Sequence, residues 1–228
     1  MEDKSFSELL NNTIAEKSLL QHPFYRKWSE GKLTVTELRE YAKQYYYFVK
    51  HFPRFVSCVH SNCEDIEVRR MLMQNLSDEE GYKSEYKDHP SLWLDFAKSL
   101  GLSDEEISNT KPLDETKALI DGMYELSRSC QYELGLAALY AYESQIPEIA
   151  KTKINGLKHH YGIESDTALK YFTVHEEFDV YHSQDELNAI IRKCTESGNS
   201  DYVVSTAEKS SWFQWNFLDG IYNNFCQS

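Results

Sequence analysis

Apolar and aromatic residues recur at helical spacing along nearly the whole chain, and the gaps between them carry helix-start or helix-stop chemistry. Phe6, Leu9, Leu10, Thr13 and Ile14 mark a first helix that ends before His22-Pro23. Thr34-Val35-Thr36-Glu37 has the form of a capping box. It opens a long aromatic helix to about Cys63, in which Pro53 predicts a kink or a break. Asp65 to Glu80 reads as a third helix stopped by Gly81. A polar connection then leads to His89-Pro90 and a short helix closed by Gly101. Ser103-Asp104-Glu105-Glu106 is a second capping box. Two helical stretches follow from Asp114 to about His159, the second passing through Pro147, and Gly162 ends that block. Ser165 to Thr195 and Ala207 to Phe225 read as the last two helices; Val203-Val204 is the sole hint of strand. No Pro/Gly/Ser-rich linker, internal repeat or low-complexity tract divides the chain, so the expectation is one all-α domain over residues 1–228, with six to eight helices.

Charge and cysteine usage narrow the function classes. A net charge of −13 argues against nucleic acid and anionic membrane surfaces, both of which demand clustered Lys and Arg. Five scattered cysteines without a Cys-x-x-Cys pair suggest reduced thiols in a cytoplasmic compartment. The N-terminus is acidic and lacks an apolar signal-peptide core, and no run of ~18 apolar residues is present to span a membrane. Sixteen Tyr among 14% aromatic residues point to an interior with polar, hydrogen-bonded regions, because a buried phenol needs a partner.

The stretch His175-Glu176-Glu177-Phe178-Asp179-Val180-Tyr181-His182 carries the clearest chemistry. A helix turns about 100° per residue, so His175, Asp179 and His182 fall within roughly 40° of one another on one face. Two imidazoles and a carboxylate on one face make half of a mixed N/O metal site of the kind iron or manganese accepts. Alone, the stretch reads sooner as a polar helix face than as a metal site. Partners are available elsewhere. Glu143 ends the small, apolar run Leu136–Tyr142, where a carboxylate loses hydration unless something compensates it. Asp78-Glu79-Glu80 places carboxylates at a helix C-terminus, against the macrodipole, and His89 follows the next connection. Glu79, His89, Glu143, His175, Asp179 and His182 together suit two non-haem transition metals, with positions open for dioxygen. No Glu-x-x-His is present, so the ferritin-like di-iron plan does not fit.

The blocks His22-Pro23-Phe24-Tyr25-Arg26-Lys27-Trp28, Ala138-Leu139-Tyr140-Ala141-Tyr142-Glu143-Ser144-Gln145-Ile146-Pro147 and Tyr171-Phe172-Thr173-Val174-His175-Glu176-Glu177 resemble the haem-oxygenase-like dimetal oxidases. The resemblance is to their CADD-like branch, named for chlamydial proteins that associate with death domains, within a TenA/PqqC-like superfamily that includes thiaminase II and pyrroloquinoline-quinone synthase C. It runs from about residue 5 to 190 and fades toward the C-terminus. It implies a seven-helix haem-oxygenase-like bundle that binds two metal ions, Fe/Fe or Fe/Mn, and uses dioxygen with an external reductant. It further implies formation of 4-aminobenzoate, a folate precursor, from one of the protein's own tyrosines, with Tyr25 as ring source and Lys153 as amino donor. The six ligand candidates match those the resemblance implies. The Glu79–His89 connection is a few residues longer than in the relatives, which leaves Glu85 or Asp88 as alternatives to His89. A homodimer and host death-domain partners are implied in the same way.

Other readings stay open on sequence grounds. A dimetal oxidase of the same fold could act on a small external substrate. A thiaminase II-like hydrolase needs a pocket cysteine, and none lies between Leu136 and Pro147. The polyanionic substrate of synthase C wants many arginines, and this chain has seven. An interaction protein is the remaining class, with an acidic surface that could meet a basic partner.

Overall fold

Caps and stops set the helix boundaries in a computed structural model of the chain, which describes residues 3–82 and 85–227. These residues form eleven α-helices and one short 3-10 turn, with no strand among them. The chain runs through α1 (Asp3–Ala15), α2 (Pro23–Ser29), α3 (Val35–Asn62), α4 (Ile66–Glu79), α5 (His89–Ser99) and α6 (Asp104–Ser108). It continues through α7 (Asp114–Ser127), α8 (Tyr132–Glu143), α9 (Ile146–Tyr161), α10 (Asp166–Ser197) and α11 (Ser200–Phe225). Both capping boxes form: Thr34 and Glu37 close the start of α3, and Ser103 and Glu106 the start of α6. Asp65, Asp88 and Ser165 cap α4, α5 and α10 through their side-chain oxygens.

Two local features add helices beyond the expected six to eight, and a third extends the last one. The short α2 is capped by the His22 imidazole, whose Nδ1 accepts from Phe24 N at 3.0 Å, and a histidine is not among the preferred caps. The helix expected to pass through Pro147 breaks at Ser144-Gln145, so Pro147 falls in the first turn of α9, where its missing N–H costs nothing. The last helix starts at Ser200, so Val203-Val204 is helical, and burial of Val203 against the core overrides its β-preference. Pro53, by contrast, does not break α3, which is continuous from Val35 to Asn62.

One core joins these helices. Its centre is α8, buried from Tyr132 to Glu143 except at Leu134, and enclosed by α3, α7, α10 and α11. A helix buried all round exposes no polar face, so Glu143 at its end has to find its partners inside the protein. The long helices α3 and α10 bring the aromatic and the metal-binding stretches to the same interior, with α5 packed against both. Among the described residues no helix is long and apolar enough to cross a membrane. All five cysteines are free thiols, and Cys130 is exposed at the surface.

Candidate metal centre

Gly81 explains how the chain returns to its own helix end. Its φ of 65° suits the helix stop, and a Cβ there would lie 2.5 Å from Asp88 N and 2.8 Å from the Lys87 carbonyl carbon. The longer connection therefore closes on Gly81 and starts α5 beside the end of α4. Asp88 is engaged as the α5 cap, accepting from Ser91 N at 2.8 Å and Ser91 Oγ at 2.7 Å, and Glu85 is exposed. His89 points inward and is 2% exposed.

Glu79, His89 and His175 converge. Each offers one ligand-capable atom, and these atoms all lie within 4.8 Å of one another. His89 Nδ1 is 2.9 Å from Glu79 Oε2, yet neither His89 nitrogen has a hydrogen-bond partner, so the two atoms are neighbours that are not aligned as donor and acceptor. His175 Nδ1 donates to the Tyr171 carbonyl at 2.6 Å, which fixes the tautomer and leaves Nε2 with a lone pair. Burial holds His175 well below the usual imidazole range, in the neutral form a metal requires. For His89, burial pulls the same way, but the Glu79 carboxylate outweighs it and raises the pKa.

Glu143, Asp179 and His182 line the adjoining wall without entering that cluster. Glu143 Oε1 accepts from Asn75 Nδ2 at 3.0 Å, and its Oε2 has no partner. Asp179 is 3% exposed, with Oδ2 unpartnered. His182 turns its Nε2 to Asp78 Oδ2 at 3.3 Å; its Nδ1 stands 3.7 Å from Asp179 Oδ1, an ion-pair contact too long for a hydrogen bond. Burial pushes the carboxyls of Glu143 and Asp179 up, outweighing the neighbouring His182, which acts downward on both. For His182, burial acts downward, but Asp179 and Glu143 outweigh it and lift the pKa to about 9. The donor set fits transition-metal ions. The neutral His175 imidazole, the unpartnered nitrogens of His89 and unpartnered carboxylate oxygens share one buried region, and a cation would satisfy them together.

A tyrosine-lined chamber borders this cluster. Tyr25 of α2 is 3% exposed, and its Oη is 3.4 Å from Tyr41 Oη. Lys153 of α9 is 2% exposed and donates from Nζ to Tyr41 Oη at 2.8 Å. The amine also stands 5.5 Å from the Tyr25 ring centre and 4.9 Å from that of Tyr45. Burial alone brings Lys153 down to about 7 and pushes the Tyr25 phenol up. Ring contacts lead from Tyr41 to Trp93 (5.9 Å between centres), to Tyr171 (4.8 Å) and to His175 (4.1 Å). These packed rings connect the surroundings of Lys153 to the cluster.

The six ligand candidates, Tyr25 and Lys153 lie in this interior, and the alternatives Glu85 and Asp88 do not. Sequence reasoning missed Tyr41, Asn75 and Glu186. Glu186 is 1% exposed and follows His182 by one helical turn, so the spacing that singled out His175, Asp179 and His182 extends to it. Asn75 left no signal, because its partner Glu143 is remote in sequence.

The chain is similar to known proteins over nearly its whole length. The chain is 40% identical to the 4-aminobenzoate synthase of Chlamydia muridarum, over 95% of this chain and 90% of that protein. It is 38% identical to the 4-aminobenzoate synthase of Nitrosomonas europaea, over 99% of this chain and 94% of the other. A TenA homologue from Pseudomonas syringae has the same fold, with a TM-score of 0.81, 20% identity, and coverage of 98% of this chain and 96% of that one. Residues 39–215 match the family described as iron-containing redox enzyme. The chain belongs to this haem-oxygenase-like family of iron-containing redox enzymes.

Proposed function

We propose that this protein is a self-sacrificing 4-aminobenzoate synthase that takes the ring from Tyr25 and the nitrogen from Lys153. The observation that carries the reading is the placement of a buried amine and a buried phenol around one shared hydroxyl, Tyr41 Oη, in a chamber connected by packed rings to the Glu79–His89–His175 cluster. The similarity to proteins named 4-aminobenzoate synthase supports it. A substrate that is part of the chain needs no entry channel, and both groups are closed to solvent.

Atom accounting fits these two residues. The tyrosine ring with its benzylic carbon contains all the carbons of 4-aminobenzoate. The reaction must therefore break the Cα–Cβ bond of Tyr25, carry Cβ to a carboxylate, replace the phenol oxygen by nitrogen, and break the Cε–Nζ bond of Lys153 to release that nitrogen. Dioxygen is the oxidant and an external reductant supplies electrons. Two metal ions, Fe/Fe or Fe/Mn, held by Glu79, His89, Glu143, His175, Asp179 and His182, would supply dioxygen activation when bound.

The chain's own residues prepare the reacting groups. Burial keeps a large share of Lys153 in the neutral, nucleophilic form near pH 7. Tyr41 Oη accepts from that amine and holds it beside Tyr25. The His22 cap, whose Nε2 pairs with Asp219 Oδ1 at 3.0 Å, fixes the first turn of α2 and hence the position of Tyr25. The rings of Trp93 and Phe172, 5.6 and 5.5 Å from the amine, exclude water from its other sides.

Isotope labelling tests the reading. Protein made with ring-labelled tyrosine and nitrogen-labelled lysine, then purified, reduced and exposed to oxygen in unlabelled buffer, is expected to release 4-aminobenzoate carrying both labels. Unlabelled product formed over many turnovers from an added substrate would instead select an oxidase of external molecules.

A further inference from the structure

Helices α4, α8 and α10 bring a second group of unpartnered oxygens to the Glu143 end of the centre. Glu186 of α10 is 1% exposed, and neither of its carboxylate oxygens has a hydrogen-bond partner. It lies four residues beyond His182 and seven beyond Asp179, so all three occupy one helix face. Glu143 of α8 is its carboxyl neighbour across the helix interface, and without a cation the two acids would share a proton. Glu143 Oε2 is also without a partner, while Oε1 is taken by Asn75 Nδ2. Asn75 of α4 is 2% exposed, and its carbonyl Oδ1 has no donor either.

The arrangement is costly as it stands. A buried carboxylate without a counter-charge costs several kcal/mol, and two in contact repel each other as well. No Lys or Arg pairs with Glu143 or Glu186 among the described residues. Asn75 gives one of its two amide N–H groups to Glu143, and its second makes no hydrogen bond to Glu186. Converging oxygens with no proton donor aimed at them are what an oxygen-preferring divalent cation binds.

We propose that Glu186 is an additional metal donor, completing with Glu143 and the Asn75 carbonyl an oxygen-rich half of the metal pair. The inference rests on the dimetal reading given above. It makes the two halves chemically unlike. Glu79, His89 and His175 offer two imidazoles and one carboxylate, whereas the Glu186 half is dominated by oxygen and suits a hard ion such as Mn2+. Asp179 and His182, between the halves on the same helix, would join whichever ion approaches them.

Manganese titration of chelator-stripped protein, followed by the loss of the free Mn2+ electron paramagnetic resonance signal, tests this. Wild type is expected to take up about two equivalents, and Glu186→Gln about one, its second site weakened about tenfold or more. Glu186→Leu guards against a folding artefact, because replacing an unpaired buried carboxylate by an apolar side chain does not threaten the fold. It is expected to melt at or above the wild-type temperature without metal, and to lose part of the upward shift that Mn2+ gives wild type. If both variants bind two equivalents as tightly as wild type, the inference fails alone and Glu186 is a buried acid sharing a proton with Glu143. If wild type binds no metal, the dimetal reading and the inference fail together.

Discussion

Lys153 Nζ donates a 2.8 Å hydrogen bond to Tyr41 Oη, and this hydroxyl is the amine's hydrogen-bond partner inside a wall of aromatic rings. An amine so placed keeps its nucleophilic lone pair at the expense of stability. The consequences can be measured.

Burial lowers Lys153 from 10.5 to about 7. Between those values the unfolded chain carries a proton that the folded chain lacks, so stability rises with pH across the window. Below about 7 both states are protonated and the destabilisation is at its full size. Lys153→Met is therefore expected to raise the melting temperature at neutral and lower pH, by a few kcal/mol in stability terms. The gain should shrink as pH rises and vanish above 10.5. Thermal melts across pH check this, and product formation should be lost in the same variant.

Tyr41→Phe removes the acceptor and leaves the buried amine without a partner. The expected cost is about 1–3 kcal/mol by denaturant unfolding. Product yield should fall further than that loss accounts for, because the amine is no longer held toward Tyr25. Yield measured at a temperature where both proteins are fully folded separates the two effects.

Gly156 lets α9 approach α2. A Cβ there would stand 2.6 Å from Trp28 Cδ1 and Nε1, and Trp28 shares α2 with Tyr25. Gly156→Ala is expected to displace the indole and move Tyr25 away from Lys153, at an overpacking cost of about 1–3 kcal/mol. Loss of 4-aminobenzoate with metal content unchanged would locate the defect in the Tyr25–Lys153 chamber. Unchanged product would show that Tyr25 tolerates the displacement.

Chelation should destabilise the protein. Without cations, Glu143, Asp179 and both nitrogens of His89 keep unpartnered atoms in the interior. A ligand that binds only the folded state stabilises it by mass action. Calorimetry with and without Fe2+ is expected to show a higher melting temperature with the ion, and His175→Ala should reduce the difference.

Local rules made much of this legible in the sequence. The capping boxes at Thr34 and Ser103 and the stop at Gly81 depend on neighbouring residues, and they formed as expected. His175 and Asp179 were placed by helical geometry, and burial of Glu143 by the apolar run before it. Features set by distant partners were not legible. The α2 start depends on His22, which Asp219 pairs with from α11, and an imidazole cap gives no usual signal. The link between Lys153 and Tyr41 joins residues far apart in sequence. His182 shared the helix face, yet its ring turns to Asp78, a choice that depends on the packing of α4 against α10.

The central claim is that Tyr25 is consumed. Intact-mass analysis of iron-loaded protein after reduction and exposure to oxygen, followed by peptide mapping, tests it most directly. The account predicts loss of the tyrosine side chain in the peptide containing Tyr25, a second change in the peptide containing Lys153, which gives up its nitrogen, both rising with released 4-aminobenzoate to about one per chain, and both absent in Tyr25→Phe. Product at wild-type level from Tyr25→Phe, or release of product with the Tyr25 peptide intact, would contradict it.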